Sequence, residues 1–584
     1  MISQTDRQTD RQTDRQTGYP SIDKPWLKYY SEEAINAPLP ECTVFEYLWN
    51  SNHTFPNNIA LNYFGNRITF QKLFACIDEA AAAFSSIDVT AGDVVVIASV
   101  TTPETVYSFY GLNRIGAISN MVDPRTSVDG IRDYIKEVDA KCVLTIDAAY
   151  SKIKQAVVGT NVRYIIVVSP ADSLVGLKKA LYKIKNGAFQ DANDCILWDD
   201  FITQGKHNSI PTAEYKKDTC CVIVHTGGTT GTPKGVMLSN DNVNALVLQS
   251  ILTEIDMKRE HTWLDIMPPF IAYGIGMGLC LPLVIGMETI LIPSFDASKF
   301  DELLLKHKPN HMVFVPSYWG TIIKSKKLKR KDLSFIIAPT VGGDTMDKEL
   351  ELSANRFLNV HGCAYTVTKG YGMTEICAGV TGTLDSNNEI GSVGVPFVKS
   401  IVSIFDPVNG QEMKYNDIGE ICVSGPNLML GYYGNQAATD EIMHPHEDGN
   451  LWLHSGDLGY MNENGSLFII DRIKRIIVRF DGFKVFPSLL ENAVFCHKAI
   501  EKCCAVGVKD AEHDQGQIPI VFIVLKDGFS AEKVKEELIL LCKDKLAEYA
   551  QPKAFYFVPE LPLTPIGKVD YRALEEIAKT TAGI

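Results

Sequence analysis

The stretch "HTGGTTGTPKG", residues 225–235, carries the densest set of groups able to hold an anion. Gly227 and Gly228 let the backbone turn its N–H groups toward a phosphate, and Thr226, Thr229, Thr230 and Thr232 add hydroxyl donors. Gly231 and Lys234 complete the loop. The GxxxxGK[ST] pattern of P-loop NTPases does not fit, because Lys234 follows Pro233 and Gly235 stands where the metal-binding hydroxyl belongs. Phosphate binding on another fold and a plain polar turn are both open at this point. "GYGMTE" (370–375) sets the ring of Tyr371 beside Gly372, Thr374 and the carboxylate of Glu375. That is a face for a base and, with Thr230, a pair of the hard oxygens Mg²⁺ prefers, or else a surface loop. "LWLHSGDLGYMNENGSLFIIDR" (451–472) places Asp457 in a glycine-flanked turn, where it either accepts from both ribose hydroxyls or caps the turn. NENG reads as a hairpin turn leading into "SLFII". "LPLTPIGKVDYRALEE" (561–576) isolates Lys568 on a stiff loop before a terminal helix, either as a point charge for another domain's cleft or as a solvated side chain.

These residues need a scaffold, and the chain has the texture of an α/β protein. "DVVVIAS" (93–99), "CVLTID" (142–147), "YIIVVS" (164–169) and "TILIP" (289–293) are unbroken β-rich runs of the kind buried on both faces of a parallel sheet. Helix-period segments such as "FQKLFACIDEAAAAFSSI" lie between them. "CCVIVHT" reads as a strand that delivers the glycine loop to a sheet edge, where open α/β folds bind ligands. The texture changes near Arg472. The basic stretch "DRIKRIIVRFDGFKVFP" joins the body to about 110 residues with their own strands and a helix, "SAEKVKEELILLCKDKLAEY". The expected division is a tail at 1–18, a large domain at 19–471 and a small one at 472–584. The tail holds three copies of Gln-Thr-Asp-Arg between Gln4 and Arg15, a unit far shorter than a folded repeat of ~20 residues or more.

The net charge of −14 argues against a nucleic-acid surface, which needs a basic footprint. Fourteen cysteines without a CxxC pair read as buried thiols in a reducing cytoplasm. No apolar leader opens the chain. The longest apolar run, Tyr273 to Met287, is too short for a span and is interrupted by Pro282, so it is expected in the core.

Taken in order, the four chemistry-bearing stretches resemble the core motifs of the adenylate-forming superfamily, which includes acyl-CoA synthetases, peptide-synthetase adenylation domains and firefly-type luciferases. The resemblance runs from about Thr43 to Leu574 and takes in "VPS" (315–317), "VGGD" (341–344) with Gly343, "GSVGVP" (391–396) and "GEICVSGPNLMLGYY" (419–433). It implies a large AMP-binding domain of layered sheets and helices with a small, mobile α+β C-terminal domain. It also implies two steps: a carboxylate attacks the α-phosphorus of ATP and expels pyrophosphate, then a thiol takes the acyl group and releases AMP. ATP, Mg²⁺ and coenzyme A are the implied co-substrates and ion. By the same resemblance Thr230 and Glu375 hold Mg²⁺, Tyr371 stacks on adenine, and Asp457 with Arg472 holds the ribose. Lys568 bridges carboxylate and α-phosphate, Lys474 is the hinge, and Gly482, Phe483 and Lys484 belong to the thioester-step loop.

Two features bear on the substrate. Ile271 in "PPFIAYGIG" stands where many relatives have histidine, and Gly274, Gly276 and Gly278, next to Tyr273, leave either an acyl channel or ordinary close packing. "FDAS" (295–298) resembles the substrate-binding string of amino-acid-activating domains, but it follows "TILIPS" and opens a helix, as in fatty-acid ligases. The leading expectation is an AMP-forming carboxylic acid–CoA ligase for a medium or long aliphatic acid. The alternatives are a ligase that loads an external carrier protein and an ATP-binding relative without turnover.

Overall fold

The apolar runs become strands because both of their faces are covered. In the computed structural model, which describes residues 17–176, 178–179, 181–182, 189, 194–226, 234–294, 296–513, 515–563 and 569–581, the strands Val94–Ala98, Cys142–Ile146 and Tyr164–Val168 lie side by side and parallel. They belong to an eight-stranded sheet that continues through Ile118–Met121 to the hairpin Cys220–His225 and Gly235–Ser239. The fourth expected strand, found at Glu288–Leu291, lies in a second sheet of nine strands with Thr262–Asp265, His311–Phe314, Ala338–Val341 and Thr368–Tyr371. A five-stranded antiparallel sheet contains Gly419–Ser424, Leu451–Met461 and Leu467–Arg472.

Helices fill the layers. Phe70–Ser86 starts at Thr69, whose hydroxyl accepts from the Lys72 N–H, and buries an Ala-rich stripe against Pro103–Ile115. Asn240–Ile251 follows the 235–239 strand through a capping box formed by Ser239 and Asn242. The Asn242 amide donates to the carbonyls of Pro426 and Leu428, both at 2.8 Å, which ties the five-stranded sheet to the phosphate-loop hairpin.

The expected core run is buried and helical. Its first part, Gly274–Cys280, is wound as a π-helix, and Leu281–Ile285 continues as an α-helix. Here the structure corrects the channel reading of Gly274 and Gly278. A Cβ on Gly274 would stand 1.9 Å from the Pro268 carbonyl oxygen, and one on Gly278 would stand 2.7 Å from Asp265 Oδ1. Both glycines permit close packing and neither lines the large cleft.

The small domain has its own core around Ile477, Leu490, Val521 and Leu538. Ile500–Lys509, Gln517–Leu525 and Ala554–Phe557 form its sheet, and Ala531–Lys545 is its long helix. Leu467–Arg472 still pairs with the large domain, so the crossing falls in the 3₁₀ turn Ile473–Arg475. Arg475 binds Asp471 on one side (3.5 Å) and Glu491 on the other (2.5 Å). Burial opposes its charge, but these two carboxylates raise its pKa overall. At the other end of the chain, Thr17 and Gly18 are bonded into the fold, to Asp23 and to the Tyr415 N–H, and the rest of the expected tail, 1–16, lies outside the described residues.

Among the described residues no helix is long and apolar enough to cross a membrane. None of the fourteen cysteines is in a disulfide, and only Cys496 is exposed.

Candidate active site

One cleft of about 2200 Å³ gathers most of the chemistry-bearing residues. It opens beyond the C-terminal ends of the parallel strands, where loops replace ladder partners and backbone groups face outward. Thr226, Lys234, Gly343, Tyr371, Gly372, Thr374, Glu375, Arg472 and Lys474 line it, with Ile271 and Tyr273 further along.

The glycine loop is the tip of the 220–239 hairpin. The Thr226 N–H donates to the Lys234 carbonyl (3.1 Å), and the Lys234 N–H donates back to Thr226 Oγ1 (3.2 Å). Gly227, Gly228, Thr229, Thr230 and Gly231 lie outside the described residues, so the structure fixes where the loop begins and ends. His225, just before it, packs against Tyr134 with the rings tilted by 35° and centroids 3.9 Å apart, and its Nε2 is 2.7 Å from Asn120 Oδ1. Burial pushes its pKa down to about 4, so the ring at the foot of the loop is neutral at neutral pH.

Glu375 sits in a 3₁₀ turn that follows the strand Thr368–Tyr371. Its Oε1 accepts from the Tyr432 hydroxyl at 2.8 Å, and the Lys234 ammonium lies 4.6 Å from the centre of the same Tyr432 ring. Burial raises the Glu375 pKa. A cation at this carboxylate would offset that penalty, so the hard oxygen fits Mg²⁺, whose other proposed side-chain ligand, Thr230, is not described. Tyr432 had no role assigned from sequence. Its only signal was its place in the "GYY" ending of a recognised motif.

Tyr371 and Arg472 form the neighbouring wall. The Tyr371 hydroxyl donates to Asp457 Oδ2 (2.7 Å), and Arg472 Nε contacts Asp457 Oδ1 (2.8 Å). Asp457 is not in a turn, as its flanking glycines suggest, but inside the strand Leu451–Met461, directly opposite Arg472. At 4% exposure it stands one layer behind Tyr371 and Arg472. The NENG turn is where expected, with the Gly465 N–H donating to the Asn462 carbonyl. Gly372 is required by close approach, since a Cβ there would lie 1.7 Å from the Ala378 carbonyl oxygen.

Lys568 lies outside the described residues, but Leu563 and Val569 on either side of it form a bridge, and Val569 to Ala573 with Glu576 border the same cleft. Gly482, Phe483 and Lys484 do not line it. Gly482 takes φ +82° in a turn closed by its N–H to the Arg479 carbonyl, and Phe483 stacks on Tyr549 at 4.6 Å. Asp296 of "FDAS" caps its helix, accepting from the Ser298 N–H (3.0 Å), so it behaves as the helix reading expects.

The model for AMP-binding enzymes matches residues 48–433, and that for their C-terminal domain matches 489–568. This chain belongs to the AMP-binding enzyme family. It is 30% identical to a long-chain-fatty-acid–CoA ligase of Bacillus subtilis over 95% of this chain and 98% of that one. It is 29% identical to a probable 4-coumarate–CoA ligase of Dictyostelium discoideum, over 94% of this chain and 97% of the relative. In fold it matches ATP-bound MatB from Rhodopseudomonas palustris with a TM-score of 0.80 at 20% identity, over 92% of this chain and 99% of that one. The anthranilate–CoA ligase AuaEII in complex with anthranoyl-AMP also gives 0.80, at 19% identity, over 94% and 99%. The protein is an AMP-forming acid–CoA ligase that uses ATP, Mg²⁺ and coenzyme A.

Proposed function

We propose that the acid is a medium- or long-chain aliphatic carboxylate and that free coenzyme A is the acceptor. The carrying observation is the second half of the cleft. Its lining includes Ile255, Met257, Trp263, Met267, Ile271 and Met277, an apolar set suited to an alkyl chain, while the charged lining residue nearest to Ile271, Arg125 over the Phe270 ring, is already paired with Asp123 at 2.8 Å. Ile271, in the place of the usual histidine, adds to this apolar wall. The Tyr273 hydroxyl is buried without a hydrogen-bond partner and stands beside Gly342, where it meets the junction of the apolar and phosphate-facing halves. It is suited to donate to the carboxylate as the acyl chain extends away.

In this reading the phosphates of ATP meet the N–H groups and hydroxyls of the glycine loop and the Lys234 ammonium. Mg²⁺ at Glu375 and Thr230 supplies charge neutralisation. Tyr371 offers its ring to adenine, with its hydroxyl already held by Asp457. Arg472 is 55% exposed in its side chain and turns aside for the ribose to reach Asp457. Lys568 neutralises the charge that grows as the carboxylate oxygen bonds to the α-phosphorus and pyrophosphate leaves. The small domain, taken as 472–584, then rotates about Lys474, withdrawing Lys568 and presenting Gly482, Phe483 and Lys484 for attack of the thiol on the acyl carbonyl and departure of AMP.

The test is pyrophosphate release across short, medium and long fatty acids, aromatic acids and amino acids, with and without coenzyme A. Fatty-acid turnover that depends on coenzyme A is expected. Turnover confined to aromatic acids overturns the substrate class, and release indifferent to coenzyme A moves the acceptor to a carrier protein.

A further inference from the structure

The five-stranded sheet carries a second cluster of ligating side chains that the ligase chemistry does not use. His444 lies on the strand Met443–Pro445 and His446 just beyond it, two residues apart, so both imidazoles fall on one face. The adjacent strand, Leu451–Met461, pairs with it through Met443 opposite Leu453 and His444 opposite Trp452, and brings His454 to the same face. Ligand atoms of His444, His446 and His454 all lie within 4.8 Å of one another.

Two details give the cluster direction. Glu420 Oε2 is 2.8 Å from His454 Nδ1, while its other oxygen accepts from the Gly456 N–H at 2.9 Å. The carboxylate therefore holds a proton on Nδ1 and leaves the Nε2 lone pair of His454 pointing away from it, as outer carboxylates do behind metal-bound histidines. That Nε2 faces His446 Nε2 at 2.9 Å. Two tetrahedral Zn–N bonds of about 2.0–2.1 Å place their nitrogens about 3.3 Å apart, so a shift of a few tenths of an ångström opens room for an ion. Phe405 meets the His446 ring edge-on at 4.7 Å and Trp452 lies against it at 5.8 Å, which restrains that ring. Cys422 is fully buried on the Glu420 side of His454, with Sγ 3.4 Å from Nδ1, so it does not share the open face.

We propose that His444, His446 and His454 bind one divalent transition-metal ion, Zn²⁺ before others, with Glu420 as the orienting carboxylate and water in the fourth position. Imidazole nitrogens suit Zn²⁺, Cu²⁺ and Ni²⁺, whereas Mg²⁺ seeks oxygen, so the site is chemically separate from the one at Glu375. The bound ion clasps the edge strand to Leu451–Met461, the strand that carries Asp457.

The test uses tag-free, chelator-treated full-length protein, titrated with Co²⁺ in the presence of excess Mg²⁺ to fill oxygen sites. One equivalent should produce the intense visible absorption of four-coordinate Co²⁺, and one equivalent of Zn²⁺ should remove it and raise Tm. Glu420→Gln is expected to weaken Co²⁺ binding by about 10–100-fold, and His444→Gln and His446→Gln by more. His444 is partly exposed on the edge strand, so its variant keeps the test decisive if His446→Gln fails to fold. A wild-type protein without a saturable band overturns the proposal, as do histidine variants that bind as tightly as the wild type.

Discussion

The two halves of the machinery are built on opposite terms. In the wall of the cleft five side chains are cross-tied: Lys234 to Tyr432, Tyr432 to Glu375, and Tyr371 and Arg472 to Asp457 behind them. On the small domain the loop proposed for the thioester step rests, among the described residues, on its own domain, through Arg479 with Asp481 (2.8 Å), Phe480 on His513 (3.4 Å) and Phe483 on Tyr549. Phe483 is 52% exposed. A fixed wall places charge before the reaction, which suits adenylation, while a loop tied only to its own domain can travel with it.

The largest expected effect comes from breaking the half proposed to move. Lys568→Ala should lower acid-dependent ATP–pyrophosphate exchange by roughly 10²–10³ while thioester formation from supplied acyl-adenylate stays near wild type. Equal loss in both assays would remove the division of labour. Lys474→Pro should show the reverse pattern by about tenfold or more, because a proline at the crossing limits the backbone change on which rotation depends. Unchanged thioester formation would put the hinge elsewhere.

The fixed half predicts smaller and more local effects. His225 is buried and neutral, with a pKa near 4 in place of the usual 6.5. The unfolded chain therefore binds a proton that the folded one refuses between those values. The contribution is intact above pH 6.5 and is lost as pH falls toward 4, by about 3 kcal/mol at most. His225→Gln should flatten that part of the stability–pH curve measured by urea unfolding, and an unaltered curve would mean that the foot of the phosphate loop is not sealed from protons. Gly274→Ala should cost about 1–3 kcal/mol by forcing the π-helix off the Pro268 carbonyl. A variant as stable as wild type with a changed acyl-length preference would restore the channel reading.

Much of the site was legible from residue order. The strand that leads into the glycine loop and the 462–465 turn follow from local patterns that hydrogen bonding within a few residues enforces. Asp457 shows the limit: glycines on both sides suggest a turn, yet strand pairing with Leu467–Arg472 holds it extended opposite Arg472. Tyr432 was hidden for another reason, since its hydroxyl meets Glu375 across 57 residues of chain.

The sequence by itself determined the α/β class, the ordered motifs of an adenylate-forming enzyme and the presence of a small C-terminal domain, because these depend on residue type and short-range period. Only the tertiary structure decided which glycines pack and which face space, where Asp457 stands behind its wall, and that three histidines share one face of a sheet. A glycine leaves the same mark in a sequence whether a ligand or another backbone approaches it, and two strands reveal their shared face only once they are paired in register.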